Sequence, residues 1–267
     1  MMKVSYFPGC TLKTKAKQLD IYARACAEVL GVTLEELPDW QCCGGVFNTS
    51  KDEIATKLSA VRALSAAGKA GQPLVSICSA CHNVLKQTNA AMQNDSEFAS
   101  HVNHYITQTG QGQMAPYHGE TTVLHYLELL RDVIGFDKVK SCVKYPLTGK
   151  KIGAYYGCLL LRPSSVMAMD DPENPQILEE FIRAIGAEPV IYAMRNECCG
   201  GYMTLEEKSL AQKKSTAVLD NASSAGADLL VTACPLCKYN LDKNGQNPLP
   251  VVYFTELLAE ALGIKEA

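Results

Sequence analysis

The chain has 267 residues, 47% of them hydrophobic and 20% charged, with a formal net charge of −3 and twelve cysteines. That balance excludes a strongly basic nucleic-acid binder and a highly charged disordered chain, and the length suffices to bury a core without disulfide staples. No leader peptide and no apolar run near the roughly 18 residues of a membrane helix is legible. The expectation is a cytoplasmic protein with no nucleic-acid partner and no direct membrane insertion.

Taken in chain order, Val4-Ser5-Tyr6-Phe7-Pro8-Gly9-Cys10 is a short β-prone run that ends in Gly-Cys, which places Cys10 in the loop leaving a strand. Leu19, Tyr22, Ala23, Cys26, Val29 and Leu30 then recur at helical spacing, with Gly31 as the stop. After Cys42-Cys43-Gly44-Gly45, Ser50 and Glu53 have capping-box spacing ahead of a helix carrying Ile54, Leu58, Val61 and Leu64. Leu74-Val75-Ser76-Ile77 predicts a buried strand entering Cys78-x-x-Cys81 at a helix N-terminus, where free amides and the helix dipole favour thiolates.

A segment of about residues 91–120, rich in Gln, Asn, His, Gly and Met, predicts a helix plus surface loop. Val123–Leu130 closes the first half. Near Pro146–Lys151 the pattern restarts, giving domains at 1–148 and 149–267. Ile152–Cys158 answers Val4–Cys10, and Ile177, Phe181, Ile182 and Ile185 form the next helical stripe before Gly186. Thr204 and Glu207 repeat the capping spacing, ahead of Leu210, Ala217 and Leu219. Leu229–Cys234 answers Leu74–Cys78, and Val251–Leu258 answers Val123–Leu130. Two α/β lobes from an internal duplication, pseudo-twofold related and each with a short, mainly parallel sheet, follow from strands alternating with helices.

The repeat carries two cysteine sets, Cys10/Cys42/Cys43/Cys78/Cys81 and Cys158/Cys198/Cys199/Cys234/Cys237, with gaps of 31 and 34 residues in the first and 39 and 34 in the second. In a reducing compartment this pattern reads as metal binding and not as disulfides. With all ten as thiolates the charge becomes −3 − 10 = −13, which opposes folding unless cations sit among the sulfurs. Structural zinc takes four ligands, whereas each half offers five, two of them adjacent with diverging side chains. A multi-iron cluster uses both, and Gly-Gly after each pair lets backbone approach a bulky group. Zinc in one or both halves, as a structural module, is the alternative.

These residues, from Tyr6-Phe7-Pro8-Gly9-Cys10 to Tyr253-Phe254-Thr255-Glu256-Leu257-Leu258, resemble the CCG-domain proteins over the whole chain, and among them the B-type subunits of heterodisulfide reductases. The resemblance implies two noncubane 4Fe-4S clusters, one held by Cys10, Cys42, Cys43, Cys78 and Cys81, the other by Cys158, Cys198, Cys199, Cys234 and Cys237. It implies reductive cleavage, between the clusters, of a small disulfide such as that of coenzyme M and coenzyme B. Electrons would come from a ferredoxin-like C-type subunit fed by a flavoprotein, the A-type subunit. CCG proteins also serve as electron-transfer or docking subunits of succinate, fumarate, lactate and glycolate oxidoreductases, and that is the rival reading.

Outside the sets, Cys26 reads as a buried structural thiol and Cys142 has no assigned partner. Arg162, four residues after Cys158, is a candidate clamp for an anionic substrate tail, with Lys13, Lys15, Lys17 and Arg195 as weaker ones. His82 could hydrogen-bond a cluster sulfur or shuttle a proton, whereas His125 reads as packing and His101, His104 and His118 as surface. Trp40 is expected to shield the first cluster.

Overall fold

A computed structural model describes residues 1–45, 53–108 and 114–264. It contains two four-stranded sheets, parallel throughout. In the first lobe β1 (Met2–Tyr6), β2 (Val32–Glu36), β3 (Leu74–Ser76) and β4 (Val123–His125) stand in the order β2-β1-β3-β4. In the second, β5 (Lys151–Tyr155), β6 (Glu188–Val190), β7 (Leu229–Thr232) and β8 (Val251–Tyr253) repeat it as β6-β5-β7-β8. Register is set by pairs such as Met2 with Val32, Ser5 with Leu74 and Leu74 with Val123. Strand β3 is buried throughout, as expected of a parallel strand covered on both faces.

The first-lobe helices are α1 (Cys10–Thr14), α2 (Lys17–Val29), α3 (Glu53–Lys69), α4 (Ser79–Asn94), α5 (Ser96–Gln108) and a short α6 (Tyr126–Glu128) that runs into a π-helical stretch over Leu129–Ile134, then α7 (Phe136–Cys142). The second lobe has α8 (Ser164–Met167), α9 (Ile177–Ala184), α10 (Lys208–Ser224), α11 (Pro235–Asn244) and α12 (Phe254–Leu262). Helix α5 has no counterpart there. On α2 the expected stripe is buried except Val29, which faces solvent. On α9, Ile177, Phe181 and Ile182 are buried, as is Ile185 just beyond its end. On α10 the buried stripe is Ala211, Ser215, Val218, Leu219 and Ala222, so Leu210 and Ala217 are displaced from the expected core positions.

Two capping expectations resolve differently. Ser50 lies outside the described residues. Thr204 does not cap: its hydroxyl donates to Asn240 Oδ1 at 2.9 Å, and α10 starts only at Lys208. The carboxylates that do reach back to N-cap amides are Glu128 on His125 at 2.7 Å and Glu256 on Tyr253 at 2.6 Å, at equivalent positions of the repeat.

The lobes exchange their last helices. Helix α12 packs on α2 of the first lobe, where Thr255 donates to Leu19 O at 3.2 Å, while α6 and α7 pack on α9 of the second. Phe254, fully buried, contacts His125, Tyr126 and Phe181 and so draws both lobes into one core. Burying one such side chain stabilises by about 1.5–3 kcal/mol.

Candidate metal centre

All ten motif cysteines lie beyond the C-terminal ends of strands: Cys10 after β1, Cys42 and Cys43 after β2, Cys78 after β3, and their counterparts after β5, β6 and β7. Chain connections leave β1 and β3 in opposite directions, the topological switch point outside which open parallel sheets usually bind ligands. Cys78 and Cys234 are the N-cap residues of α4 and α11, so each Cys-x-x-Cys straddles a helix N-terminus as expected.

In each lobe the sulfurs form one continuous chain of contacts. Cys10 Sγ lies 3.6 Å from Cys42 Sγ, Cys42 interacts with Cys43, Cys43 Sγ is 3.4 Å from Cys81 Sγ, and Cys81 interacts with Cys78. The second lobe runs Cys158, Cys198, Cys199, Cys237, Cys234 in the equivalent order, with 3.6 Å between Cys199 and Cys237. All are free thiols, at separations far beyond the ~2.05 Å of a disulfide. Among the described residues no three His, Cys, Asp or Glu side chains are arranged to hold a single metal ion.

Charge concentrates on one sulfur of each Cys-Cys pair. Hydrogen bonding from Cys42, then Cys81, pulls Cys43 down to about 3, and bonding from Cys158, then Cys199, pulls Cys198 down to about 2. The Gly200 amide donates to Cys198 Sγ at 3.3 Å. Helix serines fix the pairs from behind, Ser59 on Cys42 O at 2.8 Å and Ser215 on Cys199 O at 3.1 Å. Glycine is required before each first cysteine. Gly9 has φ +79° and a Cβ there would stand 2.7 Å from Cys81 Sγ; Gly157 has φ +64° and a Cβ would stand 3.2 Å from Cys237 Sγ. The donor set, its thiolates and this bare backbone fit a bulky thiolate-bound group.

The two sets meet across a seam. Cys234 is held down by Cys237, by the amides of Cys237 and Leu236, and by the amide of Ala80 in the other lobe. Ser79 donates its hydroxyl to Ala233 O at 2.8 Å, and Tyr253 donates to both Ile77 O and Ala233 O, the carbonyls just ahead of each Cys-x-x-Cys. Asn83 donates to Leu159 O and Arg162 O, both at 2.8 Å. Sequence reading passed over Ser79, Ala80, Asn83 and Tyr202 and took Tyr253 only as part of the repeat; closeness to a cysteine was the one signal that could have flagged the first four.

The remaining candidates fall away from the sulfurs or into structural pairs. Arg162 is half-exposed and bound to Glu173 at 2.6 Å and to Pro172 O. Arg195 is buried against Glu179 at 2.6 Å, and Lys13 pairs with Glu36 at 2.6 Å. Lys15, Lys17, His101, His104 and His118 are exposed, Cys26 is buried and its thiol is pushed up by burial. Trp40 packs edge-on against Phe7 and donates to Glu36. A surface hollow of about 460 Å³ along α10 around Gln212 and Thr216 belongs to neither set.

His82 is fully buried and packs edge-on against His125, with its Nε2 3.4 Å from Glu128 Oε2. Burial, then His125 and Lys86, hold its imidazole well below its usual range, so it stays neutral. His125 is held down to about 3, chiefly by burial. Its folded value lies below the unfolded ~6.5, so its contribution is whole above pH 6.5 and is lost as pH falls toward 3, at about 1.4 kcal/mol per pH unit. His125→Asn, which keeps an N-cap acceptor, should flatten the acid slope of stability by about that amount. Urea unfolding under argon at pH 6.5 and 5 checks it; an unchanged slope contradicts it.

A family model for the CCG cysteine-rich domain matches residues 4–86 and 152–242. The chain is 31% identical to the 8-methylmenaquinol:fumarate reductase membrane anchor subunit of Wolinella succinogenes, over 97% of this chain and 92% of that one. It is 29% identical to the B-type subunit of a ferredoxin/F420H2-dependent CoB-CoM heterodisulfide reductase of Methanosarcina acetivorans, over 98% and 90%. A structure of a hypothetical protein from Helicobacter pylori superposes with TM-score 0.74 at 13% identity, covering 98% of this chain and 49% of that one, a likeness of fold.

Proposed function

The chain belongs to the CCG cysteine-rich family, and from that premise we propose that it is the iron–sulfur catalytic subunit of a heterodisulfide-reductase-type complex. One observation carries the reading: each lobe holds an equivalent five-sulfur chain, and both chains lie beside a seam built by residues of both lobes. A disulfide likewise has two similar halves. In this reading Cys10, Cys42, Cys43, Cys78 and Cys81 hold one noncubane 4Fe-4S cluster, and Cys158, Cys198, Cys199, Cys234 and Cys237 hold the other. Such clusters supply single electrons and iron sites with an affinity for sulfur.

The chain's own residues do the rest. The helix N-termini at Cys78 and Cys234 place amide dipoles on the thiolates, offsetting the negative charge of each set. Buried side chains around Cys43, Cys81, Cys199 and Cys237 exclude water from the inner sulfurs, and Asn83 and Tyr253 hold the lobes in register. His82 and Arg162 are not needed for this account. Electron supply falls to complex partners, one ferredoxin-like and one a flavoprotein, and the substrate is a small disulfide. The fumarate reductase relative favours a second reading, a subunit that relays electrons without meeting a disulfide.

The two readings part in a simple mixing experiment. Fully reduced protein is mixed under argon with the coenzyme M–coenzyme B disulfide or another small disulfide. The expected result is release of two thiols for every two electrons lost. Reoxidation by quinone or dye, with no thiol released from any disulfide, would establish the relay.

A further inference from the structure

Among the described residues, one side chain joins the two Cys-Cys-Gly-Gly loops. Tyr202 lies in the tight turn Gly201–Met203 directly after the second of them. Its hydroxyl crosses the seam and donates to the carbonyl of Gly45, the last residue of the first, at 2.8 Å. Both glycines rest on sulfur: a Cβ on Gly45 would stand 3.5 Å from Cys43 Sγ, and one on Gly201 3.4 Å from Cys199 Sγ. The path from Cys199 through Gly201, Tyr202 and Gly45 to Cys43 therefore holds a single non-covalent link. The phenol ring is 38% exposed and feels the charge of both sets, Cys234 and Cys158 from its own lobe, Cys43 and Cys78 from the other.

The repeat does not supply this group twice. The position equivalent to Tyr202 in the first half is Val46, so the hydroxyl belongs to the pair of lobes and to neither alone. Burial first, then the four sulfurs, push the phenol well above its ordinary range. It is a neutral donor in its bond to Gly45 O.

We propose that Tyr202 is a positioning residue that sets the span between the two sulfur sets, and with it the separation at which both can engage one two-sulfur substrate. The substrate clause rests on the disulfide-reductase reading; the spanning role does not. Tyr202→Phe removes one oxygen and keeps the half-exposed ring, so iron and sulfide per chain should match the parent protein. Misplacement by about 1 Å can cost up to ~100-fold in rate, and a relaxed seam should lower kcat roughly tenfold with KM unchanged.

The readout that does not depend on turnover is a redox titration followed by EPR, because hydrogen bonding and solvent access at the sulfurs set cluster potentials. Removing the tie admits water to the seam from both sides, so the midpoint potentials of both lobes' signals should shift together. Unchanged potentials and spectra in Tyr202→Phe would overturn the proposal, as would loss of iron from one lobe, which would make Tyr202 an assembly element. Should the parent protein turn over no disulfide, the function fails while the potentials still decide the role of Tyr202.

Discussion

Cys198→Ala should lose about half of the iron of the parent protein and nearly all disulfide turnover. Cys198 is the joint of the second-lobe chain, in contact with Cys158 and Cys199 and accepting the Gly200 amide. Alanine there breaks the contact between Cys158 and the other three sulfurs. The first-lobe set shares no sulfur with it and should keep its iron. Changes to residues that merely support metal ligands cost 10–100-fold, so loss of a ligand should cost at least ~100-fold in turnover. Iron analysis on anaerobically purified variant and parent checks this. Full iron retention would break the five-ligand assignment.

Arg195→Met should be the most destabilising single change away from the sulfurs. The guanidinium, 5% exposed, donates to Glu179 Oε1 at 2.6 Å and to Asn174 Oδ1 at 2.5 Å. Glu179 is 0% exposed, and its other oxygen accepts from Tyr156, whose own hydroxyl accepts from the Leu178 amide. Burial pushes the Glu179 carboxyl up, and Tyr156 and Arg195 pull it back. Removing the arginine strands a buried carboxylate, at about 3–5 kcal/mol, which for a chain of this size lowers Tm by roughly 10 °C.

Two further outcomes separate this from a role in substrate binding. Adding Glu179→Leu should recover much of the loss, since an apolar pair of similar volume often replaces a buried ion pair at little cost. The penalty should also shrink as pH falls and the stranded carboxyl takes up a proton. A raised KM with unchanged Tm would instead restore Arg195 as a substrate clamp.

The repeat made much of this fold legible in advance. Central strands such as Leu74–Ser76 and Leu229–Thr232 are near-continuous apolar runs, and each is followed by Cys-x-x-Cys at a helix start. The edge strands β2 and β6 escaped notice for a physical reason. An edge strand needs one partner and tolerates charge, and Val-Thr-Leu-Glu-Glu and Glu-Pro-Val carry both the charge and the proline of such positions. The crossed packing of α12 on α2 was not readable either, because an apolar helix face does not name its partner.

At the site, sequence placed Cys10, Cys78 and their counterparts at strand ends, but not Cys42-Cys43 or Cys198-Cys199, whose strands β2 and β6 it missed. The cations near the cysteines misled. Lys13 and Arg195 look like substrate clamps in sequence but are consumed by Glu36 and Glu179, carboxylates distant in the chain. Tyr202 was missed because its partner is a backbone carbonyl, which leaves no mark on composition or spacing.

The most direct test of the account is iron and acid-labile sulfide quantification on anaerobically purified protein, with EPR before and after addition of a thiol under oxidation. Two five-thiolate clusters predict about eight irons and eight sulfides per chain, with a paramagnetic signal that changes when thiol is added. Zinc in place of iron, or iron whose signal no thiol alters, would contradict it.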